Sequence, residues 1–217
     1  VCLSNDVFGW GLADNQLRKL PELNSPVSCI GVRSKAIELG LGLKNGLIAV
    51  VAPEKKMRLI QSGHRGGISS LCYDPTGKYL VTGGGDGRLI WRDAQTKKIA
   101  RVSHVHQTDV SSLCFSADGK QLVSGDWNGM IVAWDVADGK ERHRRQQPDA
   151  VSGMVMLSDG FVTASWDNRL RIWAWDTDNV VREIDTGRPI YAMAEGDNPS
   201  LVLTVSNTSE LDEWQLK

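Results

Sequence analysis

The sequence lacks the features expected of a membrane, secreted or nucleic-acid-binding protein. Its purely apolar runs are only a few residues long, far short of a membrane-spanning helix. Its 25 basic and 26 acidic side chains leave a formal net charge of −1, so nothing favours nucleic acid or an acidic membrane as a partner. No signal peptide is visible, although the chain begins with Val1 rather than Met, which leaves open a natural N-terminus further upstream.

Cysteine is scarce, and none of the four cysteines belongs to a CxxC pair. They are Cys2, Cys29, Cys72 and Cys114, and their spacing is not that of metal ligands. We therefore expect no metal site and interpret these side chains as small buried hydrophobes in a reducing compartment, which favours the cytoplasm or the nucleus.

The chain has three Phe and three Tyr but eight Trp, and the Trp residues mark a repeat. In the clearest unit, Val110–Phe115, Gln121–Ser124 and Met130–Trp134 are β-prone segments, and Asn128-Gly129 is a strong hairpin signal. Similar units start upstream at His64 and downstream at Val151. No helical periodicity competes with this pattern.

The third strands of the units are spaced about 40 residues apart, with a fourth strand predicted after each. Their marker residues are Trp10, Val51, Trp91, Trp134, Trp173 and Trp214. Four short strands at this period are typical of propeller blades, which bury their faces by stacking on one another.

The sequence thus predicts an all-β fold: a β-propeller of four-stranded antiparallel blades, in one domain that spans residues 1–217 and is open to extension at the N-terminus. Val1–Leu20 supplies the second to fourth strands of one blade, and Ile190–Lys217 the first to third strands of another. We expect four complete and two partial blades that belong to a seven-bladed ring. Because bare blade edges are unfavourable, missing residues or a partner chain should complete this ring.

Several short motifs resemble those of the WD-repeat (WD40) family: Gly63-His64, the Thr82…Asp86 spacing, and the dipeptides Trp134-Asp135 and Trp175-Asp176. The resemblance implies a buried hydrogen-bond network of His, Ser or Thr, Asp and Trp in each blade. In the best-matching unit these residues are His106, Ser124, Asn128 and Trp134, with Asn in place of Asp. The unit before it has His64, Thr82 and Asp86, with Arg92 at the Trp position of a strand that is one residue short. The unit after it has Thr163, Asp167 and Trp173, with Gln147 at the His position. The units at Val51 and Trp214 keep little beyond the periodicity.

Two motifs resemble a phosphate-binding loop and a catalytic triad, but their sequence context argues against both functions. The glycine-rich run 83–87 precedes a strand, whereas a phosphate-binding loop must open a helix. His106, Ser124 and Asp126 suggest a catalytic triad, but the repeat assigns this His and Ser to a buried structural network. We therefore predict no enzyme, no catalytic residue and no cofactor.

Trp127 and Trp166 directly precede the turn residues Asn128 and Asp167 in adjacent units, so they hold equivalent positions. In the family that the chain resembles, this position lies on the top face, which commonly binds partners. The repeat places Asp109, Asn168 and Tyr191 around the two Trp residues, and together these five residues form the predicted partner-binding site. The alternative is that each indole lies flat on its own blade.

The resemblance implies a non-catalytic scaffold whose partners are other proteins. Two narrower roles stay open. A substrate receptor of a ubiquitin ligase is one, although Ala137 and Thr177 replace the arginine that marks that subgroup. The other is an actin- and cofilin-associated WD-repeat protein, because Ser165–Arg171 is similar to a segment of those proteins.

Overall fold

The computed structural model describes residues 8–11, 16–19, 22–33, 38–52, 57–175, 177–198, 201–208 and 210–216, in which all regular structure is β. Within these ranges no helix is long and apolar enough to cross a membrane. Val1 to Val7, the first part of the predicted N-terminal blade, and Asp176 of the second WD dipeptide lie outside the described residues.

The described residues form 21 strands. In chain order they are β1 (Phe8–Gly11), β2 (Gln16–Lys19), β3 (Val27–Arg33), β4 (Glu38–Leu43), β5 (Leu47–Val51), β6 (Met57–Gln61), β7 (Ile68–Tyr73), β8 (Tyr79–Gly84), β9 (Arg88–Asp93), β10 (Ile99–His104), β11 (Ser112–Phe115), β12 (Gln121–Gly125), β13 (Met130–Asp135), β14 (Glu141–Gln146), β15 (Val151–Met156), β16 (Gly160–Ser165), β17 (Arg169–Ala174), β18 (Val180–Asp185), β19 (Ile190–Glu195), β20 (Leu201–Ser206) and β21 (Leu211–Gln215).

The strands make five antiparallel blades and a separate two-stranded sheet, β1–β2. Blades 1 to 4 have four strands each and run β3–β6, β7–β10, β11–β14 and β15–β18, whereas blade 5 has three, β19–β21. The innermost strands β3, β7, β11, β15 and β19 pack side by side in that order. In the described part of the chain β19 and β3 make no comparable contact. The predicted propeller of four-stranded antiparallel sheets is confirmed, and two of the three strands expected in the N-terminal sheet lie in the described residues.

The core lies between neighbouring blades rather than inside any one of them. Between blades 2 and 3, Trp91 is fully buried and meets Tyr79 and Phe115 edge to face, at ring-centroid distances of 5.7 and 6.1 Å. Between blades 3 and 4, Phe161 stacks on Trp173 at 6.2 Å. Each of blades 2 to 4 has two apolar faces, and each face packs on a neighbouring blade. Removing one of these blades would therefore expose one apolar face on each of its two neighbours.

Strand register corrects one assignment made from the sequence. Leu80 pairs with Arg92 in blade 2 as Leu122 pairs with Trp134 in blade 3, so Arg92 does occupy the Trp position. However, β9 and β13 both have six residues, so the strand is not one residue short. Trp91 is the register equivalent of Ala133, and it packs against blade 3 instead of joining the network.

Serine hydroxyls near the start of the inner strands join adjacent blades. Ser28 Oγ donates to the carbonyl of Ile68, Ser70 Oγ to that of Val110 at 2.6 Å, and Ser111 Oγ to that of Val151 at 2.5 Å. Register shifts mark β-bulges here in blades 1, 2, 4 and 5. The extra residues in these bulges are Ser28, Ser69, Ser152 and Tyr191, which line one cavity.

Candidate functional site

One face of the molecule is formed by the hairpins that join the second and third strands of each blade, and we call it the top face. In blades 1 to 4 each hairpin contains a residue with positive φ: Gly46, Gly87, Gly129 and Asn168, at 81°, 70°, 82° and 68°. This left-handed conformation favours glycine and, after it, asparagine. The residue two positions earlier in each hairpin is therefore equivalent between blades; these residues are Lys44, Gly85, Trp127 and Trp166.

The two indoles are side by side on the top face. The rings of Trp127 and Trp166 meet edge to face with centroids 4.6 Å apart, and Tyr191 meets Trp166 in the same way at 6.1 Å. The three side chains remain 42%, 36% and 51% exposed, respectively. We call this cluster the aromatic patch. The indoles pack on each other across two blades, rather than each lying alone on its own blade.

A cavity of about 700 Å³, which we call the central cavity, opens beside the aromatic patch. Its wall includes the aromatic patch, the equivalent hairpin positions Lys44 and Gly85, and Asp109. Four serines complete the polar part of the wall, each following the first apolar residue of an inner segment: Ser28, Ser69, Ser111 and Ser152.

Asp109 and Asn168, the two polar residues predicted to border the Trp pair, differ in their placement. Asp109 lines the central cavity, and its backbone carbonyl accepts a hydrogen bond from the backbone N–H of Trp127 at 3.2 Å. Asn168 is at the hairpin tip next to Trp166 but does not line that cavity; its carbonyl accepts from the backbone N–H and the hydroxyl of Thr186, both at 2.8 Å. Four of the five predicted residues thus meet at one site.

In blade 3 a buried relay of hydrogen bonds joins β12, β13, the hairpin between them and the loop before β11. Trp134 Nε1–H donates to Ser124 Oγ at 2.9 Å, Ser124 Oγ lies 2.7 Å from His106 Nε2, and His106 Nδ1 lies 2.9 Å from Asp126 Oδ2. Because the indole can only donate and the carboxylate can only accept, every proton in this relay has one acceptor.

The acid of this relay is Asp126, and the prediction that Asn128 fills this position was wrong. Asn128 is exposed, and its backbone N–H donates to Asp126 Oδ1 at 2.9 Å. In blade 2 the acid comes from Asp86, four residues after Thr82, whereas in blade 3 it comes two residues after Ser124. A carboxylate at either of these two hairpin positions therefore reaches the Nδ1 atom of the histidine in its own blade.

Blade 2 has the His–Thr–Asp part of the network without its Trp. His64 contacts Asp86 Oδ1 through Nδ1 at 2.8 Å and Thr82 Oγ1 through Nε2 at 2.9 Å. Burial alone would raise the pKa of Asp86, but hydrogen bonds from the backbone N–H of Arg65 and from His64 outweigh it and lower that pKa. Arg92 instead bonds to backbone carbonyls, including that of Lys97 at 2.9 Å.

In blade 4 the amide of Gln147 replaces the imidazole. Trp173 Nε1–H donates to Thr163 Oγ1 at 2.9 Å, and the hydroxyl of Thr163 donates to Gln147 Oε1 at 2.8 Å. The prediction that Asp167 joins this network was wrong. Its carboxylate pairs with Arg171 instead, with Oδ2 at 2.6 Å from Nη2, and this pairing lowers the pKa of Asp167 against the opposing effect of burial.

Asp126, His106 and Ser124 have the connectivity of a catalytic triad but not its accessibility. Ser124 and Asp126 are fully buried, and the hydroxyl of Ser124 already accepts from Trp134. A nucleophilic serine must reach a substrate in a pocket. The arrangement thus serves to satisfy buried polar groups between strands.

Blade 5 retains more of the repeat than its sequence suggested. Trp214 Nε1–H donates to the buried hydroxyl of Thr204 at 2.8 Å, and the two residues are ten positions apart, as in blades 3 and 4.

The four serines that line the central cavity were not predicted from the sequence. Their signal was the dipeptide of a β-branched residue and Ser at the start of each inner segment: Val27-Ser28, Ile68-Ser69, Val110-Ser111 and Val151-Ser152.

The three cysteines of the described chain lie on the inner strands. Burial raises the pKa of the Cys29 thiol to about 12 and that of Cys114 to about 11, and it also raises the pKa of Cys72. These thiols are therefore weak nucleophiles. Among the residues that the structure describes, no group of three or more His, Cys, Asp or Glu side chains is placed to hold a metal ion.

Two segments of the chain match the family model described as WD domain, G-beta repeat: residues 55–92 and 97–135. The first runs from β6 to β9 and the second from β10 to β13, so each covers one repeat. No curated protein matches the chain.

Proposed function

We propose that the chain is a WD-repeat protein that acts as a non-catalytic scaffold and binds other proteins on its top face. The aromatic patch carries this proposal: two indoles and a phenol lie exposed and in mutual contact beside the central cavity. Trp and Tyr are the side chains that most often dominate binding energy when a partner covers them. Hairpins on packed blades hold such side chains in place before binding.

The contacts within the aromatic patch support its role as a preorganised anchor. Two nearly perpendicular rings 4.6 Å apart restrict each other's rotamers, so these side chains lose less conformational entropy when a partner binds. Asp109 and the serine hydroxyls add polar groups around the aromatic centre. An apolar centre with a polar border is the usual composition of a protein interface.

We also propose that the blades belong to a seven-bladed ring, completed by further residues of the same protein or by a partner chain, in the cytoplasm or the nucleus. Ring completion is supported by β19 and β3, which do not pack side by side in the described part of the chain as the other neighbouring inner strands do. The narrower roles in ubiquitin ligation and actin binding are extensions of the same scaffold proposal. In the segment that resembles actin-associated proteins, Arg169 and Arg171 already pair with Glu183.

The function is tested by immobilising the chain, capturing proteins from its own cells, and titrating each captured partner against Trp127→Ala and Trp166→Ala. Each variant should lose about 2 kcal/mol or more of partner binding. The unfolding free energy of Trp127→Ala should fall by about 0.5–1.5 kcal/mol, the contribution of one aromatic pair, and that of Trp166→Ala should fall further because Trp166 also contacts Tyr191. Filamentous actin and ubiquitin-ligase subunits among the partners would identify the narrower roles.

Val181→Ala is the matched surface control, because Val181 is 62% exposed on the outer strand of blade 4. It should bind every partner like the unmodified chain. Partners that bind Trp127→Ala and Trp166→Ala undiminished would show that the aromatic patch is not the binding site. A chain that is monomeric and closed into six regular blades would contradict ring completion.

A further inference from the structure

The central cavity contains an anionic group whose hydrogen-bonding capacity is unused. Asp109 Oδ1 is buried and has no hydrogen-bond partner, and the carboxylate makes no ion pair with any described residue. Ser152 Oγ, in the wall of the same cavity, is also buried without a partner. Buried polar groups are normally paired, and these are two acceptors in one cavity that no described protein group satisfies.

The space in front of Asp109 is open because blade 2 has glycine where blades 3 and 4 have tryptophan. A Cβ built on Gly85 would lie 3.8 Å from Asp109 Oδ2, in ordinary contact, with no closer atom. Lys44 contributes a cation to the cavity wall, but it is not within ion-pair distance of Asp109. The carboxylate therefore faces free volume beside the indole of Trp127.

A carboxylate beside exposed aromatic rings complements a planar cation. A guanidinium group can donate two parallel hydrogen bonds to a carboxylate while its face stacks on an aromatic ring. This molecule places arginine over aromatic rings elsewhere: Arg101 lies 5.3 Å from the ring centroid of Trp91, and Arg145 lies 5.4 Å from that of Phe161. Attraction between a cation and an aromatic face strengthens where water is excluded.

We propose that the central cavity receives an arginine side chain from an extended segment of the partner protein, with its guanidinium at Asp109 and against the aromatic patch. This proposal rests on the proposed function and specifies the partner: a protein that inserts a basic residue, rather than an acidic or purely apolar one. The aromatic patch then supplies contact area, while Asp109 and Ser152 accept the hydrogen bonds that select the cation.

The test uses four blocked pentapeptides with alanine on both sides of a central arginine, citrulline, lysine or glutamate. Binding to the unmodified chain is followed by the ¹H–¹⁵N indole signals of Trp127 and Trp166, which Trp127→Phe and Trp166→Phe identify by their disappearance. The arginine peptide should shift these signals and bind at least about tenfold more tightly than the citrulline peptide, since a hydrogen bond to a charged group is stronger than a neutral one. The lysine peptide should bind more weakly than the arginine peptide, and the glutamate peptide should not bind.

Three variants locate the peptide. Asp109→Asn should weaken binding of the arginine peptide at least about tenfold and leave the citrulline peptide unaffected. Gly85→Leu should block the cavity, because its side chain would grow into the open space. Asp118→Asn is the control, because Asp118 is an exposed carboxylate on the opposite turn of blade 3 and should bind the arginine peptide normally.

Each result decides the matter. Equal binding of the arginine and citrulline peptides, or normal binding of the arginine peptide to Asp109→Asn, would overturn the proposal. The proposal would also be overturned if the glutamate peptide bound the unmodified chain and failed to bind the Lys44→Met variant. If captured partners depend on Trp127 and Trp166 but not on Asp109, the scaffold function stands and only the arginine proposal fails. If the arginine peptide binds as expected but no captured partner depends on the patch, the scaffold function fails instead.

Discussion

At the scale of single residues, the hydroxyl of Ser124 is the branch point of the network in blade 3. It accepts from Trp134 and faces His106, and all three side chains are buried. Removing one partner leaves others without a hydrogen bond in the interior, which costs more than the lost bond itself. The network therefore makes the strands of blade 3 and the loop before them depend on one another.

Trp134→Ala should lower the free energy of unfolding by about 3–5 kcal/mol, because it leaves a cavity and removes one of the two side-chain hydrogen bonds of Ser124 Oγ. Trp134→Phe keeps most of the packing and loses the indole N–H, so it should cost less than the alanine variant. Urea denaturation of both variants measures the difference. A Trp134→Ala protein that unfolds at the same urea concentration as the unmodified chain would refute a buried structural role.

Asp86 should make stability depend on pH in the acid range. Its pKa is lower in the folded protein, so it contributes stability above the unfolded-state pKa of about 3.9 and loses that contribution as the pH falls through the lower folded-state pKa. The stability advantage of the unmodified chain over Asp86→Asn should be complete at about pH 6 and should shrink as the solution is acidified below about pH 4. Melting temperatures of the two proteins across this range provide the test, and a constant difference between them would contradict it.

The sequence predicted which residue types form the network but not which carboxylate closes it. Asp126 and Asn128 lie on the same hairpin, and spacing taken from blade 2 favoured position 128. The choice depends on the path of the turn, since both a residue two positions and a residue four positions after the hydroxyl reach the imidazole. Likewise, Arg171 on β17 pairs with Asp167 in the turn before that strand, a contact that no repeat pattern encodes.

At the scale of elements, the hairpin tips of the top face depend on residues that tolerate a left-handed backbone. Gly129 has φ of 82°, and a Cβ there would lie 2.3 Å from the carbonyl oxygen of Gln147. Gly129→Ala should therefore destabilise the protein by at least about 1 kcal/mol, through backbone strain and this clash. Thermal unfolding measures this loss.

Asn168 provides the matched control, because it holds the equivalent position in blade 4 with φ of 68°. Asn168→Gly relieves strain in the folded state and adds flexibility to the unfolded chain, so its net effect should stay within about 0.5 kcal/mol. If Gly129→Ala is as well tolerated as Asn168→Gly, the hairpin tip is not constrained as the structure indicates.

Most strands were predictable because alternating apolar residues and turn dipeptides repeat about every 40 residues. The predicted strands Gln121–Ser124 and Met130–Trp134 each end one residue short of β12 and β13. The bulges were not predictable, because Ser is compatible with a regular strand, a bulge or a turn. The site was therefore recognised by its large exposed aromatics, while the serines that line the cavity were missed.

At the scale of the whole molecule, each blade is stabilised by its neighbours, so burial differs along the ring. The second strands of blades 2 and 4, β8 and β16, are buried throughout. In blade 5 the flanking strands β19 and β21 are largely exposed, and so are Val205 and Leu211, at 37% and 61%. The central cavity and the aromatic patch thus rest mainly on the best-buried part of the molecule, with Tyr191 contributed by a less stable blade.

Native-state hydrogen exchange should resolve this gradient. The matched comparison is between β20 and its equivalents β8, β12 and β16, because each of these strands pairs with a neighbour on both sides. Since opening blade 5 exposes less apolar surface, the amides of β20 should exchange at least about tenfold faster than those of β16. A partner that contacts Tyr191 would slow this exchange by binding only the closed blade. Amides of β20 that exchange as slowly as those of β16 in the isolated chain would mean that all five blades unfold as one cooperative unit.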